Sequence, residues 1–345
     1  MFQIVGAVLG DLIIGNRKII LAATIVQAVG AFLLCLSSTF GLYGGLVLVA
    51  IGGGAYGANL AAAFGKRLLD RRKLLDSGFT LLYLAASVGS TGGILLVGLA
   101  AERSNWELGF ALSGSCAVLS LLPLLFQSPA FEKAVPEKAM QTSFSRRSII
   151  LAACLLVGLY SAFVKLGGSY SEIISSAFHE IDTINLPEFL WSSYGALFTV
   201  PLCIGAVILW SFTYTSQFIK LFMGCLIAAL SLGLLLFIPT APGQQDVALF
   251  FTSLFILCIA EVCIAPIIFS VLTEYANPKY LATLISLAFL PAATFTSGLD
   301  ITIGLVTRDA VLQVWIGMLA LVAFGFIILG IVRRASSKII DSPDN

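Results

Sequence analysis

Charged residues are scarce in this sequence. Only 11% of its 345 residues are Asp, Glu, Lys or Arg, and the formal net charge is +1, whereas a soluble domain is about 25% charged. So small a net charge argues against binding nucleic acid through a basic surface. No soluble core of this size can bury 59% hydrophobic residues. We therefore predict that a lipid bilayer is the solvent for much of the chain.

Catalytic and metal-binding motifs are also missing from the sequence. There is one histidine, His179, and the seven cysteines occur singly in apolar runs, which is typical of small buried hydrophobes. Lys66 follows Gly65 as in a phosphate-binding loop, but Arg67 stands where that loop needs Ser or Thr. We find no Ser-His-Asp set and no nucleotide fingerprint. The sequence therefore predicts neither an enzyme, nor a metal site, nor an organic cofactor.

Ten apolar segments are long enough to cross a bilayer, since a spanning helix needs about 20 residues. They lie near 18–38, 40–64, 77–101, 107–127, 148–166, 189–211, 216–238, 247–272, 281–305 and 311–333. Residues 1–9 form an apolar stub that is too short to cross and does not resemble a signal peptide. We therefore expect an all-α membrane protein with about ten complete transmembrane helices plus an N-terminal stub.

Lys and Arg are distributed unevenly between alternate connections of these spans. Sixteen fall on the side that includes the connection after the stub, and three, Arg103, Lys165 and Arg308, fall on the other side. Because basic residues are retained in the cytoplasm, we expect the first side, and with it the C-terminus, to be cytoplasmic.

The longest polar stretch predicts the domain organisation. Residues 128–147 include two prolines and four basic residues, which indicates a cytoplasmic linker between an N-terminal bundle, 1–127, and a six-helix bundle, 148–334. Residues 335–345 are expected to form a cytoplasmic tail. Since transporters are often built from matched repeats, six spans after the linker and four plus a stub before it predict a missing first helix. A true truncation, a misassigned start codon and a decaying gene remain open.

The first connection carries the pattern GAVLGDLIIGNRK at residues 6–18. Gly15 permits a tight reversal of the chain, Asp11 can hydrogen-bond backbone donors or a neighbouring helix end, and Arg17 helps to hold the loop in the cytoplasm. This resembles the loop signature of the major facilitator superfamily, except that Leu12 stands where that signature has a basic residue.

Further stretches resemble the proton-dependent oligopeptide transporter family. They are GLVLVAIGGGAYGANLAAAFGK at 45–66, DSGFTLLYLAASVGS at 76–90, ERSNWELGFAL at 102–112, and Glu261 followed by Pro266 in an E-x-x-x-x-P pattern. The resemblance covers residues 6–113 and 250–290 and is weak between 128 and 245. It implies two six-helix bundles around a central cavity, and inward proton movement coupled to uptake of di- and tripeptides.

Glu261 lies near the middle of a segment that is hydrophobic on every face. A carboxylate at mid-bilayer costs about 2.5–3.5 kcal/mol, so we expect it to face a wet cavity or a partner. The resemblance implies that it receives the peptide's amino terminus, and such an acid can alternate between a proton and a substrate. An interhelical hydrogen bond without a transport role is the alternative. Pro266 removes one backbone hydrogen bond and is a candidate hinge.

The sequence also departs from this family. The fourth-helix Lys falls on Gly57 while Asn59 is retained, and the E-x-x-E-R helix tied to proton coupling is absent. The fifth- and eighth-helix Asn residues fall on Ser87 and Ser192. We expect a midplane cavity lined by Asn59, Tyr83, Ser87, Ser192 and Glu261. Lys165 is expected either to snorkel to the interface or to form a gating ion pair.

The resemblance therefore predicts a transporter of the bacterial inner membrane that takes up di- and tripeptides with protons. Two alternatives remain: a carrier of another small amine or amino acid without the usual proton relay, and a non-transporting remnant. The expected partners are a small peptide or amine and the lipid bilayer. The solute and the oligomeric state are left open.

Overall fold

The computed structural model describes residues 2–102, 105–126, 144–179, 188–213, 215–290 and 309–340. All regular elements in these ranges are helical. The α-helices are α1 Phe2–Leu9, α2 Asn16–Leu34, α3 Thr39–Leu68, α4 Leu75–Glu102, α5 Trp106–Phe126, α6 Phe144–His179, α7 Glu188–Phe212, α8 Gln217–Leu235, α9 Val247–Tyr275, α10 Leu281–Ala288 and α11 Ala310–Ile340. Each of the ten predicted spans overlaps one of these helices, so the predicted all-α membrane architecture is confirmed.

Seven segments of the described chain are long and apolar enough to cross a membrane. One of them, Thr39–Gly98, is 60 residues long and comprises α3 and α4, which meet at a 3₁₀ turn, Leu69–Leu74, where Arg71 leaves helical geometry. Two apolar helices are shorter, Phe2–Ile14 and Leu197–Phe212. The chain is therefore a multi-pass membrane protein, and the predicted stub is a helix that does not reach spanning length.

Two helices continue beyond their predicted ends. The sequence predicts spans at 148–166 and 311–333, whereas α6 extends to His179 and α11 to Ile340. In α6 the extension carries Tyr170, Ile174 and Phe178 at a spacing of four residues, and all three are buried. A hydropathy criterion ends a span where polar residues begin, but an amphipathic helix can continue past the bilayer. Part of the predicted tail, 335–340, is likewise helical.

The first of two compact units comprises residues 1–72, 89–143 and 272–287. Within it α2 packs against α3 and α5, and α1 packs against α3. The contact between α1 and α3 is close, because a Cβ on Gly6 would lie 2.5 Å from the Cα of Ala55. A π-helical turn, Gly10–Ile14, links α1 to α2 and ends at Gly15, whose φ of 94° makes the predicted tight reversal.

The second unit comprises residues 73–88, 144–271 and 288–345. Within it α11 packs against α6 and α8, and an edge-on pair of rings, Phe222 and Phe326, joins α8 to α11. Phe178 and Phe250 form a similar contact between α6 and α9. Both units combine residues from before and after the predicted linker, so the continuous domain boundaries remain a prediction.

Within each unit, alternate connections between helices lie at the same end. A chain that crosses a membrane repeatedly must have this arrangement. In the first unit Lys66, in the last turn of α3, reaches Asp11, which follows α1. At the opposite end of these helices Ser37 donates to Glu107 at 2.7 Å. In the second unit Lys220 in the first turn of α8 meets Asp76 in the first turn of α4. These contacts agree with the predicted order of crossings.

Candidate functional site

The acid Glu261 belongs to the second unit and is half-buried in the middle of α9. Within the described part of the chain its carboxylate has no hydrogen bond and no ion pair. The interhelical hydrogen bond that was the alternative at Glu261 is therefore not formed by described residues. A carboxylate in an apolar helix that lacks a protein partner is available to a cationic ligand or a proton.

Two tyrosines lie within electrostatic range of this acid. Tyr83 of α4 and Tyr160 of α6 each interact electrostatically with the Glu261 carboxylate, and they interact with each other. Cys258, one turn before Glu261, donates weakly to the carbonyl of Gly195 in α7. The site is thus assembled from α4, α6, α7 and α9 within one compact unit. Tyr83 is where the sequence predicts a site residue, whereas Tyr160 was not predicted.

A second polar cluster, which we call the Asp11 network, lies in the first unit. The Asp11 side chain is fully buried and accepts from Lys66 Nζ at 3.2 Å and Asn16 Nδ2 at 3.2 Å. It also accepts from the Thr283 N–H at 2.8 Å and the Thr283 hydroxyl at 3.0 Å. Since Thr283 lies in the first turn of α10, Asp11 satisfies the positive end of that helix. Asp11 thus binds the end of a neighbouring helix, one of the two kinds of partner that the sequence suggests for it.

Asn59 belongs to the Asp11 network and is completely buried. Its amide nitrogen donates to the carbonyls of Gly6 and Ala55 at 2.9 and 2.8 Å, and its carbonyl oxygen accepts from Asn16 at 2.8 Å. Gly10 is required beside it, because a Cβ there would collide with the Asn59 side chain. The structure thus gives Asn59 packing partners, and its predicted contact with substrate remains untested.

A buried ion pair in the second unit was not predicted. Lys220 Nζ lies 2.5 Å from Asp76 Oδ2 and 4.8 Å from the ring centre of Trp210. Asp76 also accepts from Ser270 and, at 3.1 Å, from Gln217. Lys220 lies in the first turn of α8, where a cation is unfavourable, so the carboxylate on the first turn of α4 offsets that cost.

The remaining predicted residues occupy varied positions. The Ser87 hydroxyl donates to the backbone carbonyl of Tyr83 at 3.0 Å, and Arg17 donates to the carbonyl of Leu124 at 3.1 Å. Lys165 is exposed on α6, and its two predicted roles both remain predictions. α9 continues through Pro266. Ser192 lies in α7, but its side chain is outside the described part of the structure, as are Arg103 and Arg308 altogether.

Some of the missed residues left a signal in the sequence. Asp76 and Lys220 are charges at the ends of apolar segments, and charges of opposite sign on the same predicted side are candidate partners. Their separation of 144 residues hides the pairing. Tyr160 left no signal, because a tyrosine in an apolar helix is ordinary and only its burial distinguishes it.

Comparison with known proteins identifies the family. A family model described as Major Facilitator Superfamily matches residues 1–299, which is most of the chain. The chain belongs to the major facilitator superfamily. This membership places the protein, which we now call the facilitator, among transporters rather than enzymes.

The facilitator is also similar to peptide permeases. Dipeptide and tripeptide permease A of Pectobacterium carotovorum subsp. carotovorum is 30% identical over 127 residues, which are 36% of this chain and 25% of that protein. The counterpart in Proteus mirabilis is 28% identical over 160 residues, 46% of this chain and 32% of that protein. The matched part of the facilitator thus spans about a quarter to a third of these relatives.

A solved structure supports the fold over nearly the whole chain. A POT family transporter in complex with 5-aminolevulinic acid superposes with a TM-score of 0.69 and 18% identity, covering 97% of this chain and 85% of that one. Identity this low establishes the shared architecture and leaves the solute to be argued from the site.

Proposed function

We propose that the facilitator takes up di- and tripeptides in the inner membrane of a bacterium, driven by an inward proton gradient, through alternating access to its central site. Glu261 carries this proposal. It is an acid in the middle of an apolar helix, it is half-buried, and no described residue neutralises its charge. The name of the permease relatives supports peptides as the solute class.

The chemistry of Glu261 suits the amino terminus of a peptide. An ammonium group brings one positive charge and three N–H donors, and a charge-assisted hydrogen bond is about twice as strong as a neutral one. Because the surroundings are apolar, the paired state is favoured strongly over an isolated carboxylate. A carboxylate can also take up a proton, so the same group is able to respond to a proton gradient.

The Asp11 network supports the alternating part of the proposal. It ties residues 11, 16, 59 and 66 to the start of α10, which lies beyond the predicted linker in sequence. This cluster joins segments from both predicted halves of the sequence at one end of a unit. When access alternates, its hydrogen bonds must either break or move together as a rigid group.

A second candidate is uptake of a small amino-acid-like amine. The similar POT family structure contains 5-aminolevulinic acid, which also carries a primary amine. The site geometry at Glu261 recognises the ammonium and does not by itself require a peptide bond. A peptide carrier and an amine carrier are therefore distinguished by which of the two solutes the protein takes up.

Uptake by proteoliposomes tests the proposal. Wild-type facilitator should accumulate labelled dialanine under an inward proton gradient, and a protonophore should abolish accumulation. Glu261→Gln should lower uptake at least tenfold, because the ammonium loses its anionic partner. Uptake of labelled 5-aminolevulinic acid, with no dialanine uptake, would favour the second candidate.

The matched control is Glu172→Gln, an exposed acid on α6. Its uptake should equal that of the wild type. If Glu261→Gln and the wild type take up dialanine equally, at any level, the assignment of Glu261 to the substrate fails.

A further inference from the structure

Three consecutive aliphatic side chains are exposed in the π-helical turn between α1 and α2. They are Leu12, Ile13 and Ile14, with exposed fractions of 51%, 72% and 42%. Three exposed apolar residues in a row are unfavourable in water, and the loop signature of the superfamily has a basic residue where Leu12 stands. This connection is therefore suited to an apolar environment.

The turn is fixed at both ends, so the exposed triplet has a defined position. Asp11 at its start accepts from Lys66 Nζ at 3.2 Å, and Asn16 just after it accepts from the same nitrogen at 2.7 Å. Lys66 lies in the last turn of α3. The triplet is thus held at one end of the first unit, beside the C-terminal end of α3.

Arg17 connects the triplet to a second apolar patch. Its guanidinium donates at 3.1 Å to the carbonyl of Leu124, in the last turn of α5. The two residues that follow in α5, Leu125 and Phe126, are 65% and 86% exposed. We call the surface formed by these residues the interfacial edge: Leu12, Ile13, Ile14, Arg17, Leu125 and Phe126.

Cations predominate around the interfacial edge. Residues 11–18 and 66–72 carry six basic and two acidic side chains, and Lys18 among them is exposed. The 3₁₀ turn Pro278–Tyr280 packs on the π-helical turn and brings the exposed Lys279 to the same place. Exposed cations next to exposed aliphatic side chains complement a ligand whose negative charge adjoins hydrocarbon.

We propose that the interfacial edge binds an anionic phospholipid, with the phosphate among the cations and the acyl chains over the triplet and the end of α5. Basic residues are attracted to anionic lipid headgroups, and apolar side chains gain free energy when hydrocarbon removes them from water. A zwitterionic lipid supplies the hydrocarbon without net charge, and inorganic phosphate supplies the charge without hydrocarbon. The inference does not depend on the transported solute.

Native mass spectrometry of the full chain tests the charge selection. Protein in a non-ionic detergent receives equal amounts of palmitoyl-oleoyl phosphatidylglycerol and palmitoyl-oleoyl phosphatidylcholine. The wild type should retain phosphatidylglycerol in about fivefold excess or more, and Lys18→Gln should reduce a fivefold excess to within about twofold. The matched control is Lys165→Gln, which removes one exposed cation from α6 in the other unit and should keep the wild-type excess.

A second pair of variants tests the hydrocarbon contact. Ile13→Ser should lower the amount of retained phosphatidylglycerol about fivefold, because less apolar surface is covered. Phe40→Ser removes an exposed apolar side chain at the opposite end of α3 and should retain as much as the wild type. Without lipid, all four variants should unfold at the wild-type temperature, since each replaced side chain is exposed.

Each other outcome refutes the proposal. Equal retention of the two lipids by the wild type, or an equal loss of preference in Lys18→Gln and Lys165→Gln, would exclude selection at the interfacial edge. Inorganic phosphate that stabilises the wild type as much as phosphatidylglycerol does would identify a free anion as the ligand. A dimer that disappears in Ile13→Ser would assign the triplet to a second copy of the chain, and a lower unfolding temperature of that variant without lipid would assign it to internal packing.

Discussion

Asn59 shows how the same residue can suggest two roles. The sequence places it among family motifs and predicts a cavity position, while the structure surrounds its amide with three protein partners. A side chain whose donors and acceptor are all used by the protein contributes to stability first. Its free energy contribution and its effect on transport can be measured separately.

Replacing Asn59 by Ala should lower the free energy of unfolding by about 2–4 kcal/mol, because Asn16 and two backbone carbonyls lose their partner in a buried place. Thermal unfolding in detergent measures this change. Ser115→Ala is the control, since that hydroxyl is exposed on α5 and bonds only to its own helix. A variant with wild-type stability but weakened peptide binding would instead support the cavity role.

The ion pair of Asp76 and Lys220 allows a test of coupling. Both residues are buried, so Lys220→Met alone strands the carboxylate and should cost about 3–5 kcal/mol of unfolding free energy. Adding Asp76→Asn should recover most of that loss, because an amide can still accept from Ser270 and Gln217. Additive losses in the double variant, measured by thermal unfolding, would show that the two charges do not interact.

Some functional residues can be predicted from the sequence alone, and others are recognised only in the folded structure. Glu261 and Asp11 could be predicted, because a charge within or beside an apolar run demands a partner. The partners could not, since Thr283 lies 272 residues from Asp11. Tyr160 is recognised only by the burial of its hydroxyl, which is a property of packing.

Helices α1 and α3 illustrate packing at the scale of elements. Glycines on the two helices have opposite surroundings: a Cβ on Gly6 would lie within 2.6 Å of both the Cα and the Cβ of Ala55, whereas a Cβ on Gly57 would meet nothing within 4 Å. The first glycine lets two helices approach. The second is free of that constraint, although the family's Lys at this place suggested a functional side chain.

Paired alanine substitutions test this difference. Gly6→Ala should lower the free energy of unfolding by about 1–3 kcal/mol, because backbone atoms of α3 must shift. Gly57→Ala should raise it by about 0.5–1 kcal/mol, since Ala favours helix and finds open space. Both are measured by thermal unfolding in detergent. Equal effects at the two positions would contradict the close packing of α1 on α3.

Within the described ranges, the order of the helices could be predicted from the sequence, while their ends could not. Hydropathy detects the apolar segments because the bilayer imposes their length. The extension of α6 to His179 depends on contacts such as Phe178 with Phe250, 72 residues away, which no local pattern contains. The helical end of α11 follows from the lack of Gly or Pro between 331 and 340.

At the scale of the molecule, successive connections between transmembrane helices must lie on alternate sides of the membrane. Contacts within the first unit join the connection after α1 to the last turn of α3 and to the first turn of α10, and a contact within the second joins the first turns of α4 and α8. A missed or extra span would have separated some of these pairs. The order of crossings is therefore consistent, and the remaining question is which side is cytoplasmic.

The distribution of Lys and Arg predicts the answer, because basic residues resist translocation. A green fluorescent protein fused after Asn345 should fluoresce in cells, since the C-terminus is expected to be cytoplasmic. Alkaline phosphatase, which needs disulfides and so an oxidising compartment, should be active when fused after Pro242, in the connection between α8 and α9. Exchanging the two reporters should silence both, whereas an active phosphatase at Asn345 would reverse the orientation and place the Asp11 network on the outer side.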